Sequence, residues 1–134
     1  MAKKRAGDRP FSFFKEVNLS MKQLELTPRL KTIADLVCDG ARLADIGTDH
    51  AYLPVWLLLN DRLKSAIAAD IRPGPLDRAR ATAEEYDCTD RMRFVLCDGL
   101  SGLNRKDADT IVIAGMGGET IAAIMQAASW LKDL

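Results

Sequence analysis

Three shortages set the first limits. Cysteine is scarce: Cys38, Cys88 and Cys97 are an odd number at wide spacing, with no CxxC pair. That argues against a disulfide framework or a structural zinc site, so no metal is expected and a reducing compartment fits. Charge of one sign is missing as well, since 19 Lys and Arg face 19 Asp and Glu for a formal net charge of zero. Attraction to a polyanion can then come only from local patches. One basic patch lies at the start, where Lys3, Lys4, Arg5 and Arg9 surround Asp8. It reads as a solvated tail or as a nucleic-acid contact. Long hydrophobic runs are the third absence. The most apolar stretch, Ala51 to Leu59, is too short to span a bilayer. The basic start is followed by no long apolar run or small-residue cleavage site, so no signal peptide is expected. The expected location is the cytoplasm, without a membrane partner.

What remains is an ordinary composition, 48% hydrophobic and 28% charged over 134 residues, which suits one domain around one core. Residues 1–26 read as an N-terminal extension, partly flexible, in which Phe11, Phe13 and Phe14 can tuck against a neighbour and Ser20 to Leu26 can form a short helix. Thr27 then reads as a helix N-cap with Pro28 at the first helical position. Leu30, Ile33, Leu36 and Val37 repeat at helical spacing, and Gly40 reads as the C-cap.

From there strands and helices alternate. Strands are expected at Arg42 to Ile46, Ser65 to Ala69 with Asp70 at its end, Arg91 to Leu96 and Thr110 to Ile113. Helices are expected at Ala51 to Asn60, at Leu76 to Tyr86 after the breaker IRPGP, and at Glu119 to Leu131. Gly102 to Asp109 reads as a loop. Such alternation argues for a parallel sheet in a Rossmann-like α/β fold. Right-handed crossovers put all four strand ends on one edge. That edge collects Asp45-Ile46-Gly47, Asp70, Cys97-Asp98-Gly99 and Ala114-Gly115-Met116-Gly117-Gly118.

Open α/β sheets bind ligands outside the carboxyl ends of their strands. Gly47 lets the backbone turn and approach a ligand. Asp45 can accept from a cationic amine or from the loop's own amides. Asp70 stands where a carboxylate commonly holds ribose hydroxyls, and Asp98 can face the amino group of an adenine ring. The bland alternative is that Asp45 and Asp98 only cap helices or brace loops. A dinucleotide would bring GxGxxG, yet Asp49 stands where the second glycine would be, and a carboxylate repels a pyrophosphate. The same carboxylate tolerates the sulfonium and amine of S-adenosylmethionine. No GxxxxGK[ST] loop occurs.

The segments ARLADIGTDHAYLP, AIAADIRPGPLDRA, CDGL and DTIVIAGMGG resemble those of the bacterial tRNA (adenine(22)-N1)-methyltransferases, class I enzymes that use S-adenosylmethionine. The resemblance runs from about Leu26 to the last residue. It implies methyl transfer to adenine N1 in tRNA. It implies a cofactor site at Asp45, Gly47, Asp70, Ile71, Asp98, Gly99 and Ala114. Asp49, His50, Gly115 and Met116 would stand beside the transferring methyl and the incoming base. The family's sheet continues past the fourth strand and is followed by a helical region tied to tRNA binding. Residues 27–134 therefore read as an incomplete Rossmann-like domain, with an exposed fourth-strand edge that favours a homo-oligomer. Beside the lead stand a methyltransferase of another substrate class and a non-catalytic cofactor-binding or assembly remnant. His50, the single histidine, orders the loop or touches substrate; Tyr52 stacks or simply packs, with packing preferred; Met116 lines the methyl pocket or fills a gap.

Overall fold

The computed structural model describes residues 23–134. The basic patch, the three phenylalanines and the start of the first expected helix lie outside them. Residues 23–26 belong to no helix, which limits the Ser20 to Leu26 expectation to its undescribed part.

Helix α1, Pro28–Leu36, begins as its sequence dictates. The Thr27 side chain accepts from the Leu30 N–H at 3.3 Å, and Pro28 needs no amide partner in the first turn. The helix does not run on to Gly40. Val37 is already extended, and Arg62 donates its guanidinium to the carbonyls of Ala34 and Val37 while pairing with Asp39. A distant arginine thus satisfies carbonyls that a glycine cap was expected to handle. Gly40, at φ 81°, instead turns the chain into the first strand.

The remaining elements are β1 Ala41–Ile46, α2 Tyr52–Leu59, β2 Leu63–Asp70, α3 Pro73–Glu85, β3 Met92–Leu96, β4 Thr110–Ile113 and α4 Gly118–Ala127. Single 3₁₀ turns follow at Thr89–Arg91 and Ser129–Asp133. Helix α3 starts three residues before the expected Leu76. Both prolines of the supposed breaker fall in its first turn, where no N–H is required. The last helix stops at Ala127, short of Leu131, and the buried Ala128 carries the chain into the 3₁₀ turn.

The four strands pair in parallel in the order β3-β2-β1-β4. Central β1 and β2 are covered on both faces and are buried over most of their length, as parallel strands are. On one face Leu43, Ala66 and Ala68 pack against α1, α2 and α3 through residues such as Ala34, Leu57, Leu58 and Ala79. On the other, Ala44, Ile46, Ile67 and Ala69 meet Leu100, Leu103, Ala108 and Ala128. Each fully buried leucine or isoleucine contributes about 1.5–3 kcal/mol. Helix α2 is apolar all round and buries Leu53, Pro54, Val55, Leu57 and Leu58. Among the described residues β4 pairs only with β1, so its outer side is an edge. No described helix is long and apolar enough to cross a membrane.

Candidate active site at the carboxyl edge of the sheet

Every strand ends on the same side, and β1 supplies the tightest loop there. Gly47 at φ 73°, Asp49 at 56° and Ala51 at 61° alternate through the left-handed region. The two non-glycine residues each cost about 1–2 kcal/mol in that conformation, so the loop must be held from outside. Gly47 and Thr48 both donate their N–H groups to the Ala69 carbonyl, at 2.8 and 3.1 Å, and Ala51 N–H closes onto Thr48 at 3.0 Å.

Asp45 and Asp70 share the face of the sheet that carries α2 and α3, by strand alternation with Leu43 and Ala68. Both are buried, at 7% and 8% exposure. Asp45 Oδ2 accepts from the Thr48 hydroxyl at 2.9 Å. Its partner is thus a hydroxyl of the loop, not one of the loop amides. Burial pushes the Asp45 carboxyl up to about 7; the Thr48 hydrogen bond opposes the shift, and the neighbouring Asp70 charge adds to it. Asp70 Oδ1 accepts from the Arg72 N–H at 3.1 Å.

Asp49 behaves differently. It is exposed, and Oδ1 takes a hydrogen bond from Arg78 of α3 at 3.0 Å. Oδ2 lies 3.2 Å from Nδ1 of His50. The Arg78 guanidinium holds this carboxyl below the usual range; burial opposes the shift, and His50 adds to it. The His50 ring lies over Tyr52, centroids 4.9 Å apart and planes 8° from parallel. Tyr52 is 40% exposed and packs its ring face on His50.

The segment after β4 closes over this loop. A Cβ on Gly47 would meet the Met116 methyl, the movable end of a flexible side chain, so it is the positive φ that calls for glycine here. The Arg29 guanidinium of α1 comes within 3.5 Å of where a Cβ on Gly115 would lie. At Gly117 and Gly118 an added Cβ would meet nothing within 4 Å, leaving the backbone open. Ala114 is half-buried beside them.

Asp98, Gly99 and Ile71 stand further along the edge. Gly99 packs under α4, where an added Cβ would lie 2.9 Å from Ile124. Asp98 is exposed and lines a cavity of about 600 Å³ with Leu100, Ser101, Glu119, Thr120 and Ile124. That cavity excludes Asp45, Gly47, Asp49 and Asp70. The acidic loop after β1 and the cavity beside α4 are therefore separate parts of one edge. Ile71 presents an apolar side chain at 59% exposure.

The structure thus brings together Asp45 with Asp70, Gly47 with Met116, and Asp49 with His50. Three residues were not foreseen. Thr48 lies inside the quoted motif and could have been found as the hydroxyl three residues after a buried acid. Arg29 and Arg78 lie on helices among other charged residues, and nothing in their spacing marks them. Among the described residues no group of acids, histidine and cysteines can hold a metal.

Residues 26–133 match a family model described as a methyltransferase domain. The chain is 42% identical over 107 residues to the tRNA (adenine(22)-N(1))-methyltransferase of Bacillus subtilis, covering 80% of this chain and 45% of that one. Among solved structures, M. capricolum TrmK in complex with S-adenosyl-homocysteine superposes with a TM-score of 0.71 at 38% identity, over 75% of this chain and 46% of that one. A Streptococcus pneumoniae protein in complex with S-adenosyl-L-methionine gives 0.74 at 38% identity, over 77% and 49%. The chain spans about half the length of the curated relatives it matches.

Proposed function

The chain belongs to the methyltransferase-domain family, and from that premise we propose that its carboxyl edge binds S-adenosylmethionine for methyl transfer to N1 of an adenine in tRNA. Asp70 carries this reading. It is buried, one oxygen is held by the Arg72 N–H, and the other has no hydrogen-bond partner among the described residues. An unpaired buried carboxylate oxygen is costly, and a ribose hydroxyl satisfies it.

The surrounding residues fit the rest of that cofactor. Gly47 keeps the β1 loop low enough for close approach, Asp45 offers negative charge toward an amine, and Ala114 flanks the loop. Ile71 supplies an apolar surface for an adenine ring, with Asp98 and Gly99 on the side of its amino group. Bound there, S-adenosylmethionine supplies an electrophilic methyl group. Adenine N1 carries a lone pair and needs no deprotonation, so the chain contributes orientation and electrostatics rather than a general base. The open backbone of Gly115 to Gly118 admits a planar base, Met116 covers Gly47 between base and cofactor sides, and Arg29 adds positive charge where a nucleic-acid backbone would pass.

Calorimetry with S-adenosylhomocysteine tests the cofactor site. A micromolar dissociation constant near one-to-one stoichiometry is expected, followed by transfer of labelled methyl to an unmodified tRNA transcript. No heat from a folded sample would end the cofactor assignment. Binding without transfer would confine this chain to the cofactor step.

The same reading assigns residues 27–134 to the cofactor domain, with residues 1–26 as an extension, and places the protein in the cytoplasm, where free Cys38, Cys88 and Cys97 stay reduced. The open side of β4 favours pairing with a second copy of this chain. Sedimentation over a range of concentrations should show a dimer; a monomer throughout would remove that pairing.

A further inference from the structure

Arg78, Asp49, His50 and Tyr52 form a run of contacts that methyl transfer to a lone pair does not require. Arg78 donates to one oxygen of Asp49 at 3.0 Å. The other oxygen lies 3.2 Å from His50 Nδ1. The His50 ring is stacked on Tyr52 with an interplanar angle of 8°. A neutral imidazole carries one N–H and one lone pair, and the partner of one nitrogen decides which is which. An ionised carboxylate only accepts, so its approach to Nδ1 favours the tautomer with the proton on Nδ1 and the lone pair on Nε2. Arg78 aims the carboxylate, and Tyr52 stacks against the ring and holds its plane. A third group that orients an imidazole through a carboxylate follows the same logic as a catalytic triad, here without a nucleophile.

We infer that Arg78 is a positioning residue which, through Asp49, fixes His50 as the Nδ1–H tautomer, leaving Nε2 to accept a hydrogen bond from the exocyclic amino group of the target adenine. The last link rests on the adenine reading above; the first two stand without it. That amino group is the neighbour of N1 on the Watson–Crick edge, the edge enzymes read on an extruded base. Guanine presents an oxygen there, and two acceptors facing each other repel. His50 would therefore select the base as well as touch it.

The chain has one histidine, so ¹⁵N NMR of the imidazole is unambiguous. At about pH 8.5, above the ordinary histidine range, the wild type should show two well-separated nitrogen signals with the proton on Nδ1. Arg78→Ala should move both toward their average, Arg78→Lys should retain part of the separation, and Arg80→Ala, on the same helix, should change nothing. A proton on Nε2 in the wild type, or a spectrum indifferent to Arg78→Ala, overturns the inference. Titration with adenosine and with purine riboside, which lacks the amino group, then tests the last link in the presence of S-adenosylhomocysteine. Adenosine should shift Nε2 and bind at least about tenfold tighter, with that ratio near one in His50→Ala. An Nε2 signal unmoved by adenosine overturns the base contact. Binding of S-adenosylhomocysteine in the same samples reports separately on the cofactor site.

Discussion

Three acids at the amino end of the sheet and two buried acids at its carboxyl end are handled in opposite ways. At the amino end, Asp39 pairs with Arg62, Asp109 with Arg42 and Asp107 with Arg93. Arg42 also donates to the Lys106 carbonyl at 2.8 Å. Each of these three acids has a cation, and the pairs tie neighbouring loops to one another. At the carboxyl end, Asp45 and Asp70 are buried side by side with no cation on either among the described residues. A buried carboxyl such as Asp45, raised by burial and by the neighbouring Asp70 charge, does nothing for folding once ionised. A fold keeps such a pair where a ligand repays it, and perturbed acids collect at functional sites for that reason. The amino end carries acids tied down by cations, and the carboxyl end carries the two unpaired acids on which the proposed cofactor site rests.

Removing an acid from the binding end gives the largest effect. Asp70→Ala should weaken S-adenosylhomocysteine about 100-fold, equivalent to about 2.7 kcal/mol, while thermal unfolding shows little or no destabilisation. An unchanged affinity would strike Asp70 from the site. Asp45→Asn comes next and should stabilise the chain. The Asp45 carboxyl is raised from 3.8 to about 7 in the folded protein, so between those limits the native state holds more protons than the unfolded state. Stability from this group is therefore present at low pH and is lost as pH rises through about 7. Asparagine removes that loss, and urea unfolding at about pH 8 should show a gain of roughly 2 kcal/mol that vanishes near pH 4. The same variant should bind an amine-bearing cofactor more weakly. A loss of stability at pH 8 would mean the Thr48 hydrogen bond outweighs the burial of charge.

This contrast was only half legible in the sequence. The parallel order, the shared edge and the residues at each strand end followed from alternating apolar runs, because a strand buried on both faces leaves an unmistakable pattern. TIVI was placed at its observed limits, Thr110–Ile113. Helix limits were read less well where distant partners decide them. Gly40 reads as the cap because the local pattern offers nothing better, whereas Arg62, more than twenty positions away, does the capping. IRPGP reads as a breaker because proline interrupts helices, yet proline also begins them, and local sequence does not separate the two roles. In the candidate site the acids were visible as costly residues between apolar elements. Arg78 and Arg29 were not, since an exposed arginine on a helix looks the same whether it reaches into a site or into water.

The amino end should respond in stability alone. Arg62→Ala leaves the last carbonyls of α1 and the Asp39 carboxylate without their donor, and a loss of about 1.5 kcal/mol is expected with S-adenosylhomocysteine affinity unchanged. A fall in affinity would show that α1 transmits its position to Arg29 and the AGMGG segment, and the two ends would no longer be independent.

The smallest effect should come from Arg93→Ala. Its partner Asp107 is held below the usual carboxylate range chiefly by the Asn104 N–H at 2.8 Å, with Arg93 second. The backbone hydrogen bond survives the substitution, and the arginine itself is well exposed. Exposed ion pairs contribute little, so the change should stay within about 0.5 kcal/mol at neutral pH. What stability Asp107 adds is present above the ordinary carboxylate range and is lost as pH falls through its lowered value. Arg93→Ala should shift that acid limb only slightly. A large shift would mean that the pair, and not the turn, sets the carboxylate, and that the amino end relies on paired charge as heavily as the carboxyl end relies on its unpaired acids.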